Sequence, residues 1–212
     1  MAGKIKVGIL ALQGAVEPHA RHLARIGAET IYVRKPEHLR GLDGLVLPGG
    51  ESTAMLHLLH LNRLWEPLQR FVQEKPVLGV CAGAILLARS VTQPAQESLG
   101  VLDIAVARNA FGRQVDSFIA PVDPTEHWQG QSIEGVFIRA PRITNVGNSV
   151  RILLQYKGEP VMVEQGKLLA ATFHPELTDS LAVHHCLIAQ CESEGAPWTT
   201  ASPDPSASLS IN

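Results

Sequence analysis

The chain has 212 residues, 45% of them hydrophobic and 18% charged, with a formal net charge of −2. That length suits one domain with a full core, and the near-neutral balance excludes a basic nucleic-acid binder, an acidic solvating tail and wholesale disorder. Its longest apolar stretches are short and broken by glycine, so none can span a bilayer as a helix.

Ile5–Ala11 is a nearly continuous apolar run, the pattern of a strand buried on both faces. It follows lysines and superficially resembles a secretion signal, but it is too short, ends in Gln13-Gly14 and lacks a small-residue cleavage site. Val16–Ile26 places Val16, Ala20, Leu23 and Ile26 near one helical face. Thr30–Val33 and Leu45–Leu47 read as strands, and Thr53–Gln73 as a long helical segment with a break expected near Pro67. Val77–Val80 is a short apolar strand running directly into a helix over Ala82–Arg89. Strands and helices alternating in this way imply parallel pairing with right-handed crossovers. Beyond Leu99 the strand candidates crowd together: Val101–Ala107, Val115–Val122, Val136–Ile138, Ile152–Tyr156, Val161–Glu164 and Leu168–Phe173. Gly, Pro and Asn separate them, so some antiparallel hairpins are expected. A final helix over Asp179–Glu192 carries Leu181, His184, Leu187, Ile188 and Cys191 near one face. From Gly195 the chain is rich in Ser, Pro, Ala and Thr, and a disordered tail is expected over 195–212, leaving one domain over 1–194. The expected fold is α/β: a three-layer single domain with a mainly parallel central sheet, helices on both faces and some antiparallel strands.

Three cysteines, Cys81, Cys186 and Cys191, are too few and odd in number for a disulfide framework, which points to a reducing compartment, with the cytoplasm as default. Cys81 lies in Gly79-Val80-Cys81-Ala82-Gly83, between a buried strand and a helix. This is the cysteine form of a nucleophile elbow, where small neighbours permit a tight turn and the helix N-terminus favours thiolate. A buried structural cysteine beside two glycines is the plainer alternative. Of nine histidines, His174 stands apart because it closes the strand Leu168–Phe173 in the run His174-Pro175-Glu176. In parallel sheets functional groups gather at the carboxyl ends of strands, and in extended chain Glu176 would face the same way as His174 and orient its imidazole. The pairs His57/His60 and His184/His185 lack carboxylate or cysteine partners at metal-binding spacing, so no metal site is expected. After the strand Leu45–Leu47 comes Pro48-Gly49-Gly50-Glu51-Ser52-Thr53. Its glycines suit an oxyanion-binding turn, and Ser52 or Thr53 is expected to cap the next helix. With Glu51 and no P-loop lysine, phosphate binding is disfavoured.

Together these residues resemble the class I (triad) glutamine amidotransferases, and more closely the family of glutaminase subunits of pyridoxal 5′-phosphate synthase complexes. The resemblance spans about Lys4 to Glu192 and rests on Leu12–Val16, Pro48–Thr53, Phe137–Pro141, His174–Thr178 and, most specifically, Arg108–Phe118. It implies that Cys81 attacks the side-chain amide of glutamine, with His174 moving the proton and Glu176 supporting it. It also implies a glutamine site lined by Gly50, Glu51, Ser52, Arg108, Ile138 and Arg139, and an oxyanion held by the backbone of Gly50 and Ala82. Either arginine would suit the substrate carboxylate. No cofactor is implied. One helix and the tail alone follow the triad, so no ammonia-consuming domain is expected on this chain. The resemblance supplies a partner instead: a synthase subunit that receives ammonia in a hetero-oligomer, with Gln13 near the contact and docking helping to organise the oxyanion hole. Val80 stands where threonine is frequent in relatives, and 124–131 looks like a loop of variable length. A glutaminase serving another amidotransferase, and a non-catalytic glutamine-binding module, are the alternatives.

Overall fold

The computed structural model describes residues 4–108, 117–130 and 132–194. The first apolar run forms β1 (Lys6–Leu10), followed by α1 (Val16–Ile26), β2 (Glu29–Val33), β3 (Gly44–Leu47), α2 (Ser52–Leu61), α3 (Trp65–Glu74), β4 (Val77–Val80) and α4 (Ala82–Leu87). Then come β5 (Ala88–Thr92), β6 (Leu102–Ala107), β7 (Phe118–Pro124), β8 (Ile133–Phe137), β9 (Arg142–Val146), β10 (Arg151–Tyr156), β11 (Glu159–Gln165), β12 (Leu168–Ala171) and α5 (Ala182–Glu194).

Among the described residues, nine strands form one sheet in the order β2-β1-β3-β4-β12-β11-β10-β7-β8. The half from β2 to β12 is parallel, and β11, β10, β7 and β8 continue it antiparallel. A small second sheet joins β5, β6 and β9. In the buried parallel strands, successive side chains enter opposite cores. Leu45, Leu47 and Val77 pack with α2, α3 and α4, whereas Val46, Leu78 and Val80 pack with α1 and α5. Burying each such side chain stabilises by roughly 1.5–3 kcal/mol, which explains why these strands read as uninterrupted apolar runs. The three-layer α/β domain expected from the sequence is the observed one.

Four local expectations change. The helical segment breaks at 62–64 rather than at Pro67: Arg63 takes φ 55°, the Asn62 side chain bonds Leu58 O, and Leu64 N returns to Leu59 O. Pro67 is the third residue of α3, where its missing N–H lies among donors that have no intrahelical partner anyway. The helix after Cys81 stops at Leu87, because the N–H groups of Leu99 and Val101 take the carbonyls of Leu86 and Leu87 and the chain leaves as β5. On α1 the buried side chains are His19, His22 and Leu23, with Val16, Ala20 and Ile26 only packed at its margin. Strand β9 has little apolar signal and is held by pairing with β6. The expected tail at 195–212, residues 109–116 of the most specific motif, and Gln131 in the 124–131 loop lie outside the described residues.

Candidate active site

Parallel neighbours β4 and β12 end level, with Val80 opposite Ala171. Cys81 follows the first by one residue and His174 the second by three, so the register alone brings them to one edge. The Cys81 N–H bonds Ala171 O at 2.8 Å, and His174 N–H bonds Val136 O at 2.8 Å on β8. Cys81 has φ 50° and ψ −101°, a backbone conformation that costs a non-glycine residue about 1–3 kcal/mol. The turn is enforced by close approach of backbones. A Cβ on Gly83 would meet Leu47 O at 2.0 Å, and one on Gly79 would meet the Gly83 carbonyl at 2.7 Å. Those contacts explain the G-x-C-x-G pattern more directly than conformational freedom does.

His174 is hydrogen-bonded to Cys81, and its Nδ1 lies 2.8 Å from Glu176 Oε1. The second contact arises differently from the sequence expectation. Pro175–Leu177 is a 3-10 turn, not extended chain, and it curls Glu176 back beneath the ring. Burial opposes a charged ring at His174, yet the hydrogen bonds to Cys81 and Glu176 and the charges of both outweigh it and raise the imidazole to about 10. His174 is therefore an imidazolium at neutral pH, the partner a thiolate nucleophile needs. Glycine is required at 49 too, because a Cβ there would meet His174 Cε1 at 2.4 Å.

The loop after β3 borders this pair. Gly49 O accepts from Ala15 N–H at 3.1 Å, and in a trans peptide the Gly50 N–H then points away from the 13–15 loop. Gln13 Oε1 accepts from Glu51 N–H at 3.1 Å, so the Gln13 side chain braces the same loop. Ala82 opens α4 and is fully buried beside Cys81. The cap of α2 is Glu51, not Ser52 or Thr53: its carboxylate accepts from Thr53 N–H at 3.1 Å and Ala54 N–H at 2.7 Å. Burial would raise the Glu51 carboxyl, but those N–H groups, the Thr53 hydroxyl and Arg108 bring it below its ordinary value. The helix N-terminus is thereby filled by the chain's own carboxylate, a physical reason against phosphate there. Ser52 is buried and its hydroxyl donates to Gln96 Oε1 at 2.8 Å, so its side chain is turned away from the loop surface. Arg108 Nη2 bonds Glu51 Oε1 at 3.1 Å and Thr53 Oγ1 at 2.8 Å. Ile138 and Arg139 follow β8 at the exposed surface, Arg139 with φ 44°.

Sequence reasoning missed His19 and His22 behind Glu176, and it placed His184 on the buried face of its helix without finding what it meets. His19 and His22 of α1 and His184 of α5 form a buried cluster that reaches Glu176 through His19, whose Nε2 lies 3.6 Å from Glu176 Oε2. The available signal was two histidines three apart on α1, with His19 four residues before Leu23 on the same face. Among the described residues, no group of His, Cys, Asp or Glu is arranged to hold a metal ion, and no helix is long and apolar enough to cross a membrane.

A strained cysteine elbow beside a strand-end histidine, on the carboxyl edge of a parallel sheet, is an arrangement suited to triad-type cysteine chemistry on an α/β fold. Residues 9–193 match the SNO glutamine amidotransferase family, and the chain belongs to it. A relative named pyridoxal 5′-phosphate synthase subunit PdxT, from Solibacter usitatus (strain Ellin6076), is 50% identical over 87% of this chain and 98% of its own length. A crystal structure described as a glutamine amidotransferase superposes with TM-score 0.81 at 43% identity, covering 88% of this chain and 98% of that one. A protein from Thermoplasma acidophilum described as a putative GMP synthase component shares the fold, with TM-score 0.69 at 19% identity over 91% of this chain and 96% of that one.

Proposed function

We propose that this chain is the glutaminase subunit of a pyridoxal 5′-phosphate synthase, hydrolysing L-glutamine to L-glutamate and passing the ammonia to a synthase subunit. The observation that carries the reading is the array of strained Cys81, strand-end His174 and buried Glu176, with His174 Nδ1 2.8 Å from Glu176 Oε1. The Cys81 thiolate adds to the side-chain amide carbon, and the oxyanion is received by the backbone N–H groups of Gly50 and Ala82. The C–N bond breaks as His174 gives its proton to nitrogen, releasing ammonia and leaving a glutamyl thioester. His174 then takes a proton from water, hydroxide adds to the thioester, and glutamate departs as the Cys81 thiolate returns. Glu176 holds the Nδ1–H of His174 throughout.

In this reading glutamine lies against Gly50, Glu51, Ser52, Arg108, Ile138 and Arg139. Because the Arg108 guanidinium is already engaged by Glu51 and Thr53, exposed Arg139 is the better candidate for the substrate carboxylate. Ser52 then contributes through its backbone, since its hydroxyl is held by Gln96. The name of the 50%-identical relative supports the partner, and the unpaired state of Cys81, Cys186 and Cys191 suits a reducing cytoplasm. The hydrogen bond from Glu51 N–H to Gln13 Oε1, on the loop that carries Gly50, supports a role for Gln13 in transmitting docking of that partner to the oxyanion site.

The test is ammonia release from glutamine by wild type and Cys81→Ala, each with and without a pyridoxal 5′-phosphate synthase subunit. Wild type should turn over faster with the subunit present, while Cys81→Ala folds, binds it and releases none. Turnover by the variant would end the proposed chemistry, and a wild-type rate indifferent to the subunit would end the proposed partnership.

A further inference from the structure

The catalytic carboxylate has one oxygen that the triad does not use. Glu176 Oε1 takes the His174 Nδ1–H, while Oε2 is fully buried and has no hydrogen-bond partner within ordinary distance among the described residues. His19 Nε2 is in the same condition, and the two face one another at 3.6 Å with both side chains inaccessible to solvent. Behind His19 the contacts continue: His19 Nδ1 lies 2.8 Å from His184 Nε2, and His22 Nδ1 lies 3.3 Å from His184 Nδ1. A line of side chains thus runs from Cys81 through His174 and Glu176 to three histidines contributed by α1 and α5.

We propose that His19 is a positioning residue for the triad, donating its Nε2–H to Glu176 Oε2, with His184 and His22 holding it in the tautomer that can do so. The proposal rests on the triad reading above and adds a fourth participant to it.

The polarity of the line follows from hydrogen-bond bookkeeping. A neutral imidazole has one donor and one acceptor, so fixing one ring fixes the next. If His19 donates from Nε2, its Nδ1 accepts from His184 Nε2–H, and His184 Nδ1 accepts from His22 Nδ1–H. The opposite order would set a lone pair of His19 against a carboxylate. A hydrogen bond to an ionised acceptor is roughly twice as strong as a neutral one, so Glu176 decides the direction. The backbone of Thr178, which hydrogen-bonds the His22 ring, is a neutral competitor at the far end.

An extra proton would satisfy both ends, but the surroundings disfavour it. Burial, then His184, His174 and His22, lower His19; burial, His22 and His185 lower His184 to about 3. His22 is lowered by burial, Arg25 and Arg21, against the opposing pull of Thr178 and Glu176. A neutral His19 suits the role because it steadies the carboxylate without competing with the His174 imidazolium for its charge. Unpaired, Oε2 would be free to turn toward the surface cavity of about 820 Å³ that Glu176 shares with Arg21, His22 and Arg25.

Two substitutions of similar size separate the role from mere packing. The amide of His19→Gln reaches the position of Nε2, whereas that of His19→Asn reaches only that of Nδ1 and keeps the contact to His184. Each is measured in the full-length chain with its synthase subunit, reading kcat and KM for glutamine, and the hydrogen-bonded His174 Nδ1–H proton resonance by NMR. The expected result is near-wild-type behaviour for Gln. Asn should show kcat lower by about tenfold, the loss of one hydrogen bond to a charged group, with unchanged KM and a broadened or upfield-shifted Nδ1–H resonance. Asn indistinguishable from wild type, or Gln impaired as much as Asn, overturns the role of His19 alone. Wild type with neither turnover nor a downfield His174 proton overturns the triad reading and this proposal with it.

Discussion

Whether His174 is charged at neutral pH is decided by opposing forces of known sign: burial expels the proton, while Cys81 and Glu176 hold it. The ring's folded value of about 10 lies above the 6.5 of an unperturbed histidine. Its contribution to stability is therefore complete below about pH 6.5 and is lost as pH rises through about 10, since the unfolded chain releases that proton first. Urea midpoints measured between pH 6 and 10.5 should fall with pH in wild type, with a visibly smaller slope in His174→Gln; equal slopes would contradict the charged ring. The residues of this centre were unevenly legible. Cys81 and His174 announce themselves by position, one between glycines and one at a strand end. The approach of Glu176 comes from a 3-10 turn that alternation of side chains does not describe. His184 was legible on the apolar face of its helix but not its partners, and His19 and His22 left almost no trace, because histidine on a helix reads as surface until the packing partner is known.

At the scale of elements, β3, β4 and α4 are locked by close backbone contact in addition to side-chain packing. Gly83 lies so near Leu47 O that any Cβ overlaps it. Gly83→Ala should destabilise by about 3 kcal/mol or more, the upper range for overpacking, whereas Gly27→Ala, with φ 93° and open space around it, should lose about 1 kcal/mol from backbone strain alone. Chemical denaturation of both variants checks the ordering, and a milder effect at Gly83 would contradict the close approach. Strand and helix identities near the site were readable because their apolar periods are strong. Their ends were not: α4 stops where the segment 99–101 meets it, and α2 stops at a left-handed Arg63 that no residue preference foretells.

Across the whole molecule, one nine-stranded sheet separates two cores, and neither can persist without the strands that line both. Trp65 belongs to one core and Trp128 to the other. Variants retaining only one of these tryptophans, with the other and Trp198 replaced by Phe, should lose native fluorescence at the same urea concentration. Separate midpoints would mean that the two halves unfold independently. The sequence by itself determined the layered α/β class, the elbow and the strand-end histidine, because continuous apolar runs and glycine spacing encode burial and tight turns locally. Only the tertiary structure decided which strands end side by side, which loop braces Gly50, and that three histidines from the two ends of the chain converge behind Glu176. Those are contacts between residues distant in sequence, set by the β4–β12 register and by α1 and α5 sharing one face of the sheet, and no local pattern records them.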